Sequence, residues 1–233
     1  DAGVIGSDFY VMERLDGIIL RKNIPAELGL GEAEVRALCT AAIDQLVALH
    51  SIDVAGTELE RFGKGEGYVK RQVDGWSARY RKARTHGVRH GTGSFEKVMA
   101  WLDEHQPHDV GNCLIHNDFR FDNLVLAHDD PTRVIGVLDW EMATLGDPLM
   151  DLGGALAYWV QADDDRIMRG SRRQPTHAPG MLTRDEVWQY YAHASGRAIS
   201  PKDQLFYEIF GLFRLAVIAQ QIYYRYANGQ TSN

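Results

Sequence analysis

The chain has 233 residues, 45% hydrophobic and 24% charged, enough for one globular domain or one large lobe with a substantial core. A net charge of -7 and a pI near 5.7 argue against general nucleic-acid binding. The two cysteines, Cys39 and Cys113, sit in helical and strand-like apolar patterns. They predict buried free thiols and a reducing, cytoplasmic compartment. No signal-peptide pattern is present, and no apolar run approaches the ~20 residues of a bilayer span, so no membrane partner is expected.

The chain starts at Asp1 in polar, Gly-containing sequence, and further residues upstream are expected. Phe9 to Met12 reads as a strand and Glu13 to Gly17 as a turn or hinge. Apolar residues at Val35, Leu38, Ala42, Leu46 and Leu49 predict a helix over 32–50. Phe62 to Gly67 holds three glycines. It lacks phosphate-loop spacing and follows no strand, so it reads as an ordinary loop. Helices are predicted over 68–85 and 94–105, followed by three short strands at 113–115, 124–126 and 134–138. Gly146-Asp147-Pro148 breaks the chain before a helix over 149–160, and 161–181 reads as loop. Thr183 with Glu186 forms a capping-box pattern for a helix to 195. Ser200-Pro201 suits the start of a long last helix to 226, and the polar tail is expected to fray. The fold class is α+β: a mostly helical body with a small β element.

That β element carries the chemistry. His116, Asp118, Arg120 and Asn123 follow the first strand, and Asp139 ends the third. H-x-D-x-x-x-x-N followed by a strand-borne Asp is the order of a protein-kinase catalytic centre, with Asn117 in place of arginine. Asp118 is the candidate base that orients a hydroxyl nucleophile. Asn123 and Asp139 offer the oxygens that Mg²⁺ prefers against a nucleotide's phosphates. Arg120 stands where a cation could neutralise charge on the phosphoryl oxygens, and His116 is expected to brace the loop. A metal-dependent phosphoester hydrolase is the weaker alternative, because the other histidines show no paired ligand spacing.

The segments HNDFRFDN (116–123), VLDWE (137–141) and GDPLMDL (146–152) resemble the aminoglycoside phosphotransferase and choline kinase family of small-molecule kinases. The helix at 67–84 is similar, more narrowly, to the kinase-like domains fused to some acyl-CoA dehydrogenases. The resemblance implies a protein-kinase-like C-terminal lobe, with residues 1–17 as the end of an N-terminal lobe and hinge and 18–233 as the lobe itself. It implies ATP and Mg²⁺ as cofactors and a small-molecule hydroxyl as acceptor. Adenine would meet backbone groups near Glu13 and Leu15, and Asp147 or Asp151 would hold the catalytic loop. Glu141 reads as a turn carboxylate. No glycine-rich nucleotide loop or strand lysine precedes residue 9, so the N-terminal lobe is expected to be largely absent and this chain alone poorly active.

Lys70 to Arg89 carries seven Lys and Arg residues against one acid, Asp74. Arg71, Trp76, Arg79 and Tyr80 are candidate substrate contacts for an anionic or acyl-CoA-like hydroxy compound, although a solvated helix face is the simpler reading of the basic residues and core packing that of Trp76 and Tyr80. Asp163 to Asp165 could also line the substrate side. A polycationic aminoglycoside is the alternative acceptor, and a pseudokinase-like binding or regulatory domain the alternative class.

Overall fold

The computed structural model describes residues 2–7, 9, 11–85 and 95–231. Its helices in chain order are α1 (Ala2–Ile5), α2 (Glu32–His50), α3 (Tyr68–Lys82), α4 (Glu96–His105), α5 (Pro148–Leu156), α6 (Arg166–Ser171), α7 (Arg184–Ser195) and α8 (Pro201–Ala227). Four short strands intervene between α4 and α5: β1 (Cys113–Ile115), β2 (Leu124–Leu126), β3 (Val134–Val137) and β4 (Thr144–Gly146). They form two separate antiparallel pairs, β1 with β4 and β2 with β3.

The long helices form where their periodicity and caps predict. Thr183 accepts the Glu186 N–H while Glu186 reaches back to Thr183, a complete capping box. Ser200 caps α8 with Pro201 at its first position. Asp109 caps α3 from a distance, accepting the N–H groups of Gly67, Tyr68 and Val69 at 2.6, 2.8 and 2.9 Å. The loop over 62–67 is therefore a structural connection whose helix-start donors are already taken.

Helix α8 is long and apolar enough, by length and composition, to cross a membrane. The sequence reading overlooked this because Glu208 and Arg214 interrupt its apolar run. It serves as a packing helix here, burying Phe206, Tyr207, Phe210, Phe213 and Val217. Helix α5 crosses it at Gly153 and Gly211. A Cβ on Gly153 would lie 2.6 Å from the Tyr207 carbonyl, and one on Gly211 would meet the Gly153 carbonyl. This close crossing puts Asp151 of α5 and Arg214 of α8 beside the loop that follows β1.

Three expectations need correction. Phe9, Val11 and Met12 lie in no strand and are exposed, while Tyr10 lies outside the described residues. A strand needs a partner, and the first pairing here is a single bridge, Ile18 to Leu126, with both N–H···O contacts at 2.8 Å. β4 went unpredicted because three residues ending in glycine carry no readable alternation. The 161–181 loop contains α6, a helix too short to show a period, capped by Asp165. Ser94 and Arg89 lie outside the described residues. Cys39 and Cys113 are free and buried, and burial pushes both thiols up to about 12.

Candidate active site

β1 hands the chain to a loop gripped from several sides. Asp151, fully buried in α5, accepts the His116 N–H at 2.7 Å and the Asn117 N–H at 2.8 Å. Behind it His50 of α2 reaches the same carboxylate at 3.2 Å and Tyr191 at 2.7 Å. Burial raises the Asp151 carboxyl, but the His50 hydrogen bond and charge and the two backbone N–H groups outweigh it, holding it below the usual range. Asp147 caps α5 through Leu149 and Met150 and holds the Val110 N–H at 2.7 Å. Burial pushes its carboxyl up to about 6 against those bonds. Loop support therefore falls to Asp151, and Asp147 anchors the helix that presents it.

Asn117 adopts the left-handed conformation, φ 64°, which asparagine tolerates better than most side chains. Its side chain accepts from the Tyr68 hydroxyl at 3.2 Å and donates to Met142 O at 3.0 Å. The peptide joining Asn117 to Asp118 is held at both ends. Arg214 Nη2 donates to its oxygen at 2.7 Å, and its N–H donates to His116 Nδ1 at 3.2 Å. With Nδ1 accepting, the proton sits on Nε2, which donates to Leu138 O at 2.9 Å.

Asp118 is half-buried. Its Oδ2 lies 3.2 Å from Arg120 Nη2 and 3.3 Å from Asn123 Nδ2, and among the described residues Oδ1 has no partner. Arg120 also lies 3.3 Å from Asp122 and stacks over Tyr158 at 5.2 Å. Its guanidinium thus faces the candidate base. Asn123 spends its amide N–H on Asp118, donating to the main-chain oxygen at 2.9 Å, and among the described residues its Oδ1 has no partner. The Leu138 N–H donates to Asn123 O at 2.8 Å, so the β2–β3 register sets Leu138 opposite Asn123, one residue before Asp139. Asp139, exposed and at φ 69°, has no side-chain partner among the described residues. An amide oxygen and a carboxylate are the ligand types that suit Mg²⁺, a hard cation that keeps several waters. No group of three or more His, Cys, Asp and Glu clusters among the described residues, as a histidine-rich hydrolase centre would require. Glu141 is exposed in the turn after Asp139.

Glu13 and Leu15 lie on the segment leading to the Ile18 bridge, and their main-chain groups have no partner among the described residues. Leu15 packs over Gly136 of β3, and Gly17 passes so close to β2 that a Cβ would sit 2.5 Å from Leu126 O. Of the α3 candidates, Tyr80 is a core residue. It is 2% exposed, with its ring 5.1 Å from Phe95, because the helix turns it inward. Arg71 donates to the carbonyls of Gly65 and Glu66 and so ties down the preceding loop. Trp76 is half-buried against the core and Arg79 is exposed, with the Arg79 guanidinium 4.7 Å over the indole. The acidic run is committed elsewhere: Asp165 caps α6, Asp164 pairs with Arg184 at 2.7 Å, and Asp163 bonds Gln161. Arg214 and His50 escaped the sequence reading, since they lie 97 and 101 residues from their partners and no local pattern links them.

The phosphotransferase enzyme family model matches residues 1–187. Mouse acyl-CoA dehydrogenase family member 10 is 38% identical across the whole of this chain, which covers 21% of that protein. Mouse acyl-CoA dehydrogenase family member 11 is 36% identical, with 29% of it covered. The chain thus spans less than a third of these curated relatives. A crystal structure from Ralstonia eutropha JMP134, described as a candidate aminoglycoside phosphotransferase, superposes with a TM-score of 0.83 at 32% identity. It covers all of this chain and 68% of that one.

Proposed function

Since this chain belongs to the phosphotransferase enzyme family and has its protein-kinase-like fold, we propose that it is the catalytic lobe of an ATP-dependent kinase acting on a small-molecule hydroxyl. The observation that supports this reading is the set of uncommitted oxygens on Asp118, Asn123 and Asp139 around one backbone-braced loop. Among the described residues one Asp118 carboxylate oxygen, the Asn123 amide oxygen and the Asp139 carboxylate have no partner, and the Leu138 N–H on Asn123 O ties the chain just before Asp139 to Asn123.

Asp118 Oδ1 would accept the hydrogen bond of the acceptor hydroxyl and take its proton as the oxygen bonds to the γ-phosphorus and the bond to the leaving ADP oxygen breaks. Asn123 and Asp139 would hold Mg²⁺, which supplies charge neutralisation across the phosphate oxygens. Arg120, already on Asp118, keeps the carboxylate oriented and adds positive charge near the transferred group. Glu13 and Leu15 would offer main-chain groups to adenine. In this reading residues 1–17 end an N-terminal lobe and form the hinge, and 18–233 are the C-terminal lobe.

The acceptor is an anionic or acyl-CoA-like hydroxy compound. The relatives are named as acyl-CoA dehydrogenase family members, and the cationic surface of α3 suits a polycationic aminoglycoside poorly. A pseudokinase would not need a free base oxygen and two free metal ligands together. The test is acceptor-dependent ADP release by the intact protein across hydroxylated compounds, with the product identified by ³¹P NMR. A new phosphomonoester supports the reading. Mg·ATP binding without transfer to any acceptor in the panel supports the pseudokinase, and phosphate release without ATP supports the hydrolase.

A further inference from the structure

Of the six described cations over 70–84, three lie near carboxylates and a fourth is tied to main-chain oxygens. Lys70 pairs with Asp74 at 3.0 Å, Arg81 with Glu96 at 2.9 Å, Arg84 lies 3.9 Å from Glu96, and Arg71 is bound to carbonyls. Arg79 and Lys82 are different. Neither has a carboxylate partner among the described residues, and nor do Arg214 and Arg225 on the facing helix α8. In a protein of net charge -7, four unneutralised cations on one seam demand a reason.

The seam has a definite course. Trp76, Arg79 and Lys82 recur every three residues along α3, and Arg214, Gln221 and Arg225 share a face of α8. At one end Arg214 grips the peptide before Asp118 at 2.7 Å, and its guanidinium lies 5.5 Å from the Trp76 ring. Arg79 lies 4.7 Å over the same ring, so two like charges share one indole. From Arg79 onward the helices open into a groove of about 370 Å³, lined by Arg79, Lys82, Gln221, Tyr224, Arg225 and Gln230. Eleven residues of α8 separate Arg214 from Arg225, so the cations extend roughly 16 Å away from the catalytic loop.

We propose that this α3–α8 seam binds the anionic part of the phosphate acceptor, whose hydroxyl end reaches Asp118. Arg214 and Arg79 meet the first oxyanion, Trp76 walls the neck, and Lys82 and Arg225 hold charge further out. The ligand chemistry is a multiply charged oxyanion, carried by phosphate or by carboxylate groups. This rests on the phosphotransferase reading for the role of the hydroxyl, but not for the binding itself.

The test is calorimetry on the intact protein with Mg·AMPPNP saturating the nucleotide site. Inorganic pyrophosphate is titrated in one arm and glutarate in the other. The variant is Arg79→Gln/Arg225→Gln, which alters two surface side chains and no catalytic group; a thermal melt checks its fold. One-to-one binding of either probe, weakened about tenfold or more in the variant at unchanged melting temperature, supports the seam, and the tighter arm identifies the oxyanion. No binding by either probe, or equal binding by both proteins, overturns it. Failure of AMPPNP to bind overturns the kinase reading instead, and the same titrations without nucleotide still read the seam.

Discussion

His116 donates its Nε2 proton to the carbonyl of Leu138 at 2.9 Å, across twenty-two residues of chain. Its other ring nitrogen receives the Asp118 N–H, and Leu138 in turn donates its N–H to Asn123 O. One buried imidazole therefore ties the candidate base to the strand end that carries the candidate metal ligands. His116 acts as a positioning residue.

His116→Ala should accordingly loosen both halves at once. Two part-buried hydrogen bonds lost at about 1 kcal/mol each, with Leu138 O left without its partner, predict about 2–3 kcal/mol of destabilisation. Turnover should fall while the variant still folds. Denaturant melts and initial rates on the same preparation check this, and unchanged rates would remove His116 from the account.

Asp139→Ala and Asn123→Ala test the metal pair. Each should abolish or sharply weaken the Mg²⁺-dependent part of the thermal shift given by ATP, with Asp139→Ala the more severe because it removes the anionic ligand. A shift with the same Mg²⁺ dependence as wild type would place the metal elsewhere.

His50→Ala leaves the Asp151 carboxylate buried with only its backbone donors. Leaving a buried carboxylate short of one hydrogen-bond donor predicts a loss of about 1–3 kcal/mol in chemical denaturation. The Asp151 carboxyl is held low in the folded state, so its contribution to stability is present above the ordinary carboxylate pKa and is lost as pH falls through its folded value.

Asp147 acts in the opposite sense. Its carboxyl is raised from 3.8 to about 6, so the folded state holds a proton that the unfolded chain has released. Its contribution is most favourable below about pH 4, falls by about 3 kcal/mol as pH rises to about 6, and is flat above. Asp147→Asn should flatten the pH dependence of stability over that window, as read by denaturant melts at stepped pH.

The helical frame and the catalytic loop were legible in the sequence because both rest on local signals: capping residues, 3.6-residue periodicity, and a fixed spacing from His116 to Asn123 between apolar strands. β4 and α6 were not, since three to six residues carry no period. Phe9, Val11 and Met12 show the reverse limit, since β-favouring residues form no strand where none of the described residues pairs with them. Within the site, Asp118, Asn123 and Asp139 could be picked out by motif. Arg214 and His50 could not, because their roles arise only where α8 and α2 pack on the loop. Tyr80 takes the simpler of its two readings, core packing, rather than its candidacy as a substrate contact.

The central claim is that Asp118 is the base of phosphoryl transfer, and the direct measurement is turnover of the intact protein carrying Asp118→Asn with Mg·ATP and its acceptor. The account predicts a fall in kcat of about 10²- to 10⁴-fold, with Mg·ATP affinity and melting temperature near wild type. Near-normal kcat in that variant would contradict it.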